Sequence, residues 1–246
     1  MQHMNSKPAI SCDHFEDCDR ASLSAAEVAE MRGLLEAHFE GVRSDQFERD
    51  LSEKNRVLRV WRDGRLVGFS TVLAYQTEVS GETIHVIYSG DTIMAPEAWG
   101  SSALARGWIR MVRRLQRSAP DGKWYWLLLS AGFRTYRFLP VFWREFWPRP
   151  DVEMPDEWFH LRNTLARERF GDQFHESTGV VRFERPQWLG PRLAVVPEGR
   201  TADDHVAFFL ERNPGWREGD ELVCIAGLGD ENLTTAGRRI VRSIEP

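Results

Sequence analysis

The stretch from Asn55 to Arg117 decides the fold. It contains, in order, VLRVWR (57–62), Asp63-Gly64, LVGFSTVLAY (66–75), IHVIYSGDTIM (84–94), APEAWGSS (95–102) and an arginine-rich segment ending near residue 117. Asp-Gly between two apolar runs is a strong signal for a short β-hairpin. After residue 102, apolar side chains recur at helical spacing. The pattern predicts a hairpin, a third strand with a bulge or close backbone approach at Gly90, a turn, and a helix.

The turn before the helix is the first candidate binding site. Because it joins a strand to a helix, its backbone N–H groups lie at a helix N-terminus and lack intrahelical partners. Such groups suit an anion, for example a pyrophosphate. Ser101 and Ser102 are either ordinary helix caps or further donors to that anion, and these two interpretations are compatible.

The chain before this stretch divides into two parts. Residues 1–22 are polar and acidic with little periodicity, which predicts a flexible N-terminal segment. Ser24 and Glu27 have the spacing of a capping box, and apolar residues follow at helical spacing. We therefore expect a compact domain over residues 23–150.

The chain after the stretch is less regular. Trp124–Leu129 has the composition of a buried strand, and Phe133–Trp147 resembles an aromatic helix interrupted by Pro140. Residues 151–246 predict a C-terminal α/β extension, with helices near 158–170 and 205–212 and strands near 180–183 and 221–225. This extension either completes the same domain, covers a substrate site, or mediates a homodimer.

Composition limits the classes of function. The net charge of −5 does not favour nucleic acid, and no apolar run approaches the ~20 residues that cross a bilayer. Three cysteines, an odd number, indicate a reducing compartment, so we predict a cytoplasmic protein. Cys12, His14 and Cys18 match no standard zinc spacing, and no metal is predicted. Cys224 lies in an apolar run and is expected to be a core thiol.

The order helix, hairpin, long strand, turn, helix, strand, helix resembles the GNAT acyltransferase superfamily over roughly residues 24–147. The resemblance implies an α+β fold with a strongly twisted, mixed central sheet flanked by helices. In that family the turn carries a Gln/Arg-x-x-Gly-x-Gly/Ala pattern that holds a pyrophosphate. Here Trp99 stands where Gln or Arg is usual, Ser102 where the central Gly is usual, and Leu104 where Gly or Ala is usual. The motif is thus a degenerate one.

The resemblance also implies a donor and its contacts. The donor is acetyl-CoA or a longer acyl-CoA, and the strand before the turn binds its pantetheine arm through backbone groups. The residues implied in donor binding are Ile93, Met94, Trp99, Gly100, Ser101, Ser102 and Arg106. The degenerate turn is either remodelled for another pantetheine carrier or disabled. The arginines after Arg106 are either a solvated helix face or further phosphate ligands.

Acyl transfer to an amine sets the remaining requirements. The amine must lose a proton, the developing oxyanion must be stabilised, and the leaving thiolate must gain a proton. Asp91 is the first candidate base, because an acid within an apolar strand is costly unless it is paired or used. Glu78 and His85 follow, and the alternative for Asp91 is a structural hydrogen-bonding role. Tyr136 is the candidate acid, by the resemblance; the alternative is a packing aromatic.

Two classes of function remain open. The first is an acyltransferase that moves an acyl group directly from acyl-CoA to an amine of a small molecule or peptide. A variant of it uses a donor bound to a carrier protein or to tRNA. The second is a non-catalytic module that kept the fold and lost the donor site. The many aromatic residues after Trp124 are either core or an apolar channel for a long acyl chain.

Overall fold

A computed structural model describes residues 13–244. Within these residues the chain forms eight α-helices: α1 (Ala25–Glu36), α2 (Ser44–Ser52), α3 (Ala103–Gln116), α4 (Phe133–Tyr136), α5 (Phe138–Phe142), α6 (Asp156–Phe170), α7 (Asp204–Arg212) and α8 (Thr235–Ile244). No helix in this part of the chain is long and apolar enough to span a membrane.

The same residues form eleven strands: β1 (His14–Asp19), β2 (Phe39–Glu40), β3 (Arg56–Arg62), β4 (Arg65–Val79), β5 (Glu82–Met94), β6 (Lys123–Ser130), β7 (Phe146–Trp147), β8 (Phe174–His175), β9 (Val180–Val181), β10 (Trp188–Leu189) and β11 (Glu221–Gly227). The main sheet has the order β1-β3-β4-β5-β6-β11-β9-β8, and β7 also pairs with β11. Only β5 and β6 pair in parallel within this described sheet. β2 and β10 form a separate pair.

The predicted hairpin is present. Asp63 and Gly64 join β3 to β4 with φ values of 50° and 76°, the left-handed pair that a two-residue hairpin turn requires. β4 and β5 form a second, longer hairpin through Ser80 and Gly81. These antiparallel strands carry the centre of the sheet.

The N-terminal segment differs from the sequence prediction. Residues 14–19, expected to be flexible, form strand β1, which pairs antiparallel with β3; residues 1–12 lie outside the described part. The acidic side chains of β1 face arginines of β3: Glu16 bonds to Arg59 at 3.0 Å, and Asp17 bonds to Arg56 at 2.7 Å. The acidity that indicated a loose segment is therefore balanced by cations from a strand some 40 residues away in sequence.

Helices cover both faces of the main sheet. On one face, α3, α5, α7 and α8 pack around a core that includes Leu58, Ile87 and Trp126. On the other face, α6 packs on Val86, Tyr88 and their neighbours. α1 and α2 cover the rest of that face through residues such as Met31 and Phe47. The result is the helix–sheet–helix architecture of an α+β domain.

Two further segments differ from expectation. Residues 133–147 form the short helices α4 and α5 followed by β7, where a single interrupted aromatic helix was expected. Helix α8 was not predicted, although Val241 is buried and Ile240 packs against the core. The C-terminal hundred residues complete the sheet and core, because β11 pairs with β6 along Leu222–Gly227. Cys224 is fully buried in that strand, as expected, and burial raises its thiol pKa to about 12.

The predicted capping box at the start of α1 also carries an ion pair that joins α1 to the sheet. Ser24 accepts a hydrogen bond from the Glu27 amide while the Glu27 carboxylate accepts from the Ser24 amide. The same carboxylate binds the buried Arg59 guanidinium. The bond from Arg59, followed by those from Ser24, lowers the pKa of Glu27 from 4.5 to about 2.

A Glu27→Gln substitution tests this ion pair without removing the capping box, since Gln also serves at this position. A depressed pKa contributes stability that is present above pH 4.5 and is lost as the pH falls towards 2. Urea unfolding should therefore show lower stability at pH 7 for the variant and a smaller further loss between pH 4.5 and 2. Glu30→Gln, an exposed position on the same helix, is the control. Parallel pH curves for wild type and Glu27→Gln would contradict the assignment.

Candidate functional site

The cleft begins where two parallel strands separate. β5 and β6 pair from Ile84 with Lys123 to Ser89 with Leu128. Beyond that point β5 continues beside β4, as far as the pair Gly68–Met94, while β6 continues beside β11, as far as Ser130–Leu222. Beyond Ser89 and Leu128, the facing edges of β5 and β6 therefore no longer hydrogen-bond to each other. Their separation leaves backbone donors and acceptors along one wall of a cleft.

A bulge lies at the start of this separation. The β4–β5 register shifts between Ser70 and Val72, which pair with Thr92 and Ser89. Gly90 and Asp91 are the two β5 residues that remain opposite Thr71. This is the bulge that the sequence predicts at Gly90. A side chain at Gly90 would crowd its neighbours, because its Cβ would lie 2.9 Å from the Thr71 hydroxyl and 2.7 Å from Cε of Lys54, and one of them would have to shift. The bulge directs Asp91 into the cleft.

The cleft has a volume of about 1040 Å³ and follows β5 from Ser89 to Met94. One end is bounded by the turn before α3, Trp99–Ser102, together with Arg134 and Arg200. The other end contains Asp50, Asp91 and Glu221, with Lys54 among them. The cleft thus has a cationic end at a helix N-terminus and an end with more carboxyl than ammonium groups.

Burial raises the pKa values of three carboxyl groups at the acidic end. Burial raises the pKa of Glu221 to about 8, and the charges of Asp91 and Asp50 add to the effect. Burial also raises the pKa of Asp91, against the opposing charge of Lys54 and a 2.8 Å hydrogen bond from Gln187. The pKa of Asp50 is also raised, again chiefly by burial. Carboxyl groups with raised pKa values in a cleft are suited to accept and release protons.

Glu221 is one of the cleft residues that sequence reasoning missed. It is the first residue of β11, and the antiparallel pairing of β11 with β6 brings it to the open end of β6. The signal was present, since an acidic residue leads the apolar run Leu222–Ile225, as Asp91 interrupts the run of β5. The sequence alone does not reveal that β11 lies beside β6.

The turn before α3 has the features of an anion site. Ser102 has φ −87°, so this residue is unstrained where the family pattern has glycine. The Ser101 hydroxyl accepts a hydrogen bond from the Ala103 amide at 3.1 Å, which is a capping role. Gly100 faces open space, with nothing within 4 Å of its Cβ position. Helix α3 has 14 residues, long enough for an appreciable dipole at this end.

Trp99 and Arg134 form a stacked pair at the mouth of the cleft. The Trp99 indole donates to the Met94 carbonyl at 3.0 Å, and the Arg134 guanidinium carbon lies 4.0 Å from the centre of the indole ring. Arg134 in turn donates to the carbonyls of Leu193 and Val195. Trp99 is therefore held over the end of β5, where its indole occupies one backbone acceptor of the strand that was expected to bind the donor.

Three predicted residues lie away from the cleft. Tyr136 is fully buried among aromatic side chains and donates its hydroxyl proton to the Pro148 carbonyl at 2.9 Å. Glu78 pairs with Thr83 near the far turn of the β4–β5 hairpin. His85 stacks on Trp124 and lies six residues, or about 20 Å of strand, from Asp91. Tyr136 thus packs in the core and does not line the cleft.

The remaining predicted residues divide in two. Ile93, Met94, Trp99, Gly100, Ser101 and Ser102 line the cleft. Arg106 is exposed on α3 and is not part of the lining. Further along this helix Arg113 and Arg114 form ion pairs with Asp230 and Asp17, which favours the structural interpretation of these arginines. No group of three or more metal-ligating side chains occurs among residues 13–244, and Cys12 lies outside them.

Comparison with known proteins agrees with this architecture. The family model for the GNAT acetyltransferase domain matches residues 21–138. Residues 21–138 therefore belong to the GNAT acetyltransferase superfamily, whose members use acyl-CoA donors. Residues beyond the matched range form additional helices and strands of the same α+β fold. No curated protein matches the sequence.

Several solved structures are similar at low sequence identity. Escherichia coli ElaA is 15% identical over 59% of this chain and 94% of its own, with a TM-score of 0.39. A probable N-acyltransferase from Enterococcus faecalis V583 is 13% identical over 90% of this chain and 67% of its own, with a TM-score of 0.42. Escherichia coli YhbS, a GNAT family N-acetyltransferase solved with CoA, is 14% identical over 52% and 67%, with a TM-score of 0.36.

The position of Tyr136 gives a clear prediction. Tyr136→Phe removes the hydroxyl and leaves the buried Pro148 carbonyl without its donor, so we expect a loss of about 1–3 kcal/mol in the free energy of unfolding. Chemical denaturation measures this loss. If Tyr136 protonates the leaving group, the substitution should instead lower the transfer rate by at least about a hundredfold with unchanged stability, and that result would support the catalytic interpretation.

Proposed function

We propose that this protein is an acyltransferase that moves an acyl group directly from acyl-CoA to an amine of a small molecule or peptide. The observation that carries the proposal is the cleft between the separated ends of β5 and β6. It joins a helix N-terminus at one end to a cluster of carboxyl groups at the other. These two ends suit the phosphates of a donor and the ammonium form of an acceptor.

The cationic end supports binding of the donor. Backbone N–H groups in the first turn of α3 have no intrahelical partners, and the helix dipole adds positive potential there. Arg134 and Arg200 line the same end. The pKa of Arg134 is lowered chiefly by burial and also by the positive charge of Arg200. An anionic group placed here would relieve that repulsion. The residues present therefore fit a pyrophosphate.

The length of β5 supports the placement of the thioester. Four residues of strand separate Met94 from Gly90, a distance of about 13 Å at the usual rise. An extended pantetheine arm that starts near the turn and follows this open edge ends at the bulge. Its amide groups would pair with the backbone groups of β5 that no longer pair with β6. The reacting carbonyl would then lie beside Gly90 and Asp91.

The acidic end supports an amine acceptor. Asp50, Asp91 and Glu221 line this end beside Lys54 and Arg169, and an entering cation would stabilise the ionised forms of these carboxyl groups. In the proposed reaction Asp91 and Glu221 act as a pair that takes the proton from the acceptor ammonium. Direct transfer needs no covalent enzyme intermediate, and in the sequence no Cys or Ser has a recognisable base partner.

The apolar walls of the cleft bear on the length of the acyl chain that it could hold. Its lining includes Trp108, Trp126, Phe133, Phe138 and Phe142. Trp108 and Trp126 both donate to the Ser89 hydroxyl, so their polar atoms are satisfied and their rings present an apolar surface. Most of these rings also belong to the core. Acyl chains longer than acetyl are therefore part of the first binding experiment.

The first experiment is thermal unfolding with CoA, acetyl-CoA and dodecanoyl-CoA, comparing wild type with Ser102→Asp and Ser102→Asn. A ligand at about a hundred times its dissociation constant adds about 2.7 kcal/mol of stability. Ser102 is exposed and makes no side-chain cap hydrogen bond, so neither substitution should destabilise the free protein. Only Asp adds a negative charge at the phosphate position, and we expect at least a tenfold weaker CoA affinity, about 1.4 kcal/mol, for Asp alone.

The three ligands distinguish the possible donors. A shift common to all three indicates a site for the CoA moiety itself, whereas a shift with dodecanoyl-CoA alone indicates an apolar channel. Equal shifts for Ser102→Asp and wild type would remove the turn from donor binding. If none of the ligands shifts the wild type, the donor is a carrier-bound acyl group or the domain is a non-catalytic module.

The pH dependence of transfer tests the carboxyl pair. Because the pKa of Glu221 is raised to about 8 and the charge of Asp91 contributes to the rise, kcat/KM should increase as the pH passes through about 8. Glu221→Gln should remove that rising limb and Asp91→Asn should move it to lower pH. Each substitution should also lower kcat/KM by about 10²- to 10⁴-fold in the pH range where the substituted carboxylate acts as the base.

Glu82→Gln is the matched control for this pair. Glu82 begins the same strand as Asp91 and pairs with Lys123 at its exposed end, so its substitution should leave the profile in place. A profile that is the same in all four proteins would assign the titration to the acceptor amine and exclude the carboxyl pair as the base.

A further inference from the structure

Lys54 is an unusual residue in this chain. The sequence contains 32 lysines and arginines, of which only those at positions 7, 54 and 123 are lysines. Lys54 follows helix α2 and is 6% exposed, although its side chain is charged in its ordinary form. Wherever else the described chain buries a cation, at Arg59 and Arg162, it uses arginine. Lysine differs from arginine in that it can lose its proton when buried and can then act as a nucleophile.

The surroundings of Lys54 place its amine at the bulge of β5. Nζ donates to the Asp50 carbonyl at 2.9 Å, which holds the side chain back over the end of α2. A Cβ at Gly90 would lie 3.2 Å from Nζ, so glycine at this position leaves room for the amine against the strand. The Tyr88 ring, with its centre 5.2 Å from Nζ, covers it on another side. Nζ therefore lies at the point of β5 that an extended donor arm reaches.

The surroundings of Lys54 make its proton easier to remove. Burial lowers the pKa of Lys54 and the charge of Arg169 adds to this effect, against the opposing charges of Asp91, Asp50 and Glu53. Asp91 and Asp50 both have raised pKa values, so each is a better proton acceptor than an exposed carboxylate. Lys123 provides the contrast, since its bond to Glu82 raises its pKa at an exposed position.

We propose that Lys54 is acylated by acyl-CoA bound in the same cleft, so that the protein modifies itself at this position. The inference rests on the proposed donor, and it adds a second acceptor that belongs to the protein. The Lys54 ammonium first gives one proton to Asp91. The Nζ lone pair then attacks the thioester carbonyl carbon, an N–C amide bond forms and the C–S bond breaks. The second nitrogen proton goes to the leaving CoA thiolate, which leaves as the thiol.

Acylation would change the cleft in two ways. The amide carries no charge, so Asp50, Asp91 and Glu221 lose the Lys54 ammonium and keep the Arg169 guanidinium as a nearby cation. The acyl group would also occupy space beside Gly90 that an external acceptor needs. Self-acylation thus competes with transfer and would slow it.

The test incubates the full chain with acetyl-CoA and follows the acetylation of each lysine over time by peptide mass spectrometry. Cleavage after glutamate separates Lys54 from Lys123 and does not depend on unmodified lysine. Because the cleft positions the donor, we expect Lys54 to be acetylated at least about tenfold faster than Lys123. Acetyl phosphate, which carries no CoA moiety, is the reference donor and should favour the exposed Lys123.

Three variants make the outcome specific. Ser102→Asp should slow acetylation of Lys54 and leave that of Lys123 unchanged, because only the former depends on the donor site. Asp91→Asn should slow it through loss of the proton acceptor. Lys54→Arg should abolish the added mass on this peptide, and thermal unfolding verifies that the variant is folded.

The outcomes separate the inference from the function on which it rests. Lys54 left unmodified in a protein that acetyl-CoA stabilises thermally would overturn self-acylation and leave the transferase proposal standing. Equal rates for Lys54 and Lys123, unaffected by Ser102→Asp, would overturn it as well. No thermal shift with any CoA compound, together with no acetylation of Lys54, would overturn both.

Discussion

Parallel strands keep their hydrogen-bond ladder only while both backbones remain in register, and β5 and β6 lose that register after Ser89 and Leu128. Each strand then follows its other neighbour, β4 or β11, and the sheet opens without losing its outer pairing. An opening of this kind exposes backbone groups that a ligand can satisfy in place of a strand. The bulge at Gly90 and Asp91, the helix that follows β5, and Glu221 at the start of β11 all have their positions fixed by it.

The cleft also shows how a buried charge can be tolerated before a ligand arrives. Asp91 is held by the Gln187 amide and by the nearby charge of Lys54, and Glu221 has a pKa high enough to keep its proton near neutrality. Charges that are neutralised by protonation cost less than ionised ones in a buried site. An entering cation reverses this balance, because it stabilises the ionised carboxylates. Binding of an ammonium group and release of protons are therefore linked in such a site.

Sequence patterns were most informative where the structure depends on local interactions. The Asp63-Gly64 turn, the capping box at Ser24 and the bulge at Gly90 each follow from residues within a few positions of one another. Strand β1 was missed because its acidic side chains are compensated by Arg56 and Arg59, which no local pattern reveals.

For the site, the pattern around Asp91 and the turn at Trp99–Ser102 pointed to residues that line the cleft, whereas Tyr136 was assigned by resemblance and lies in the core. Glu221 and Lys54 could not be placed in advance, because their proximity to Asp91 depends on sheet order and on the end of α2. Those are long-range features that periodicity does not encode.

The pairing of β11 with β6 has a consequence for how the chain reaches its native state. During synthesis β6 emerges long before its partner, which arrives only after residues 131–220 have been made. Through that interval Leu127, Leu128 and Leu129 lie on an edge with unpaired backbone groups, the arrangement that invites pairing with other chains. A chain that stopped near residue 138, where the family domain ends, would retain that edge permanently. Pairing of β11 with β6 is therefore a late step in folding, because the two strands are far apart in sequence and such non-local pairings form slowly.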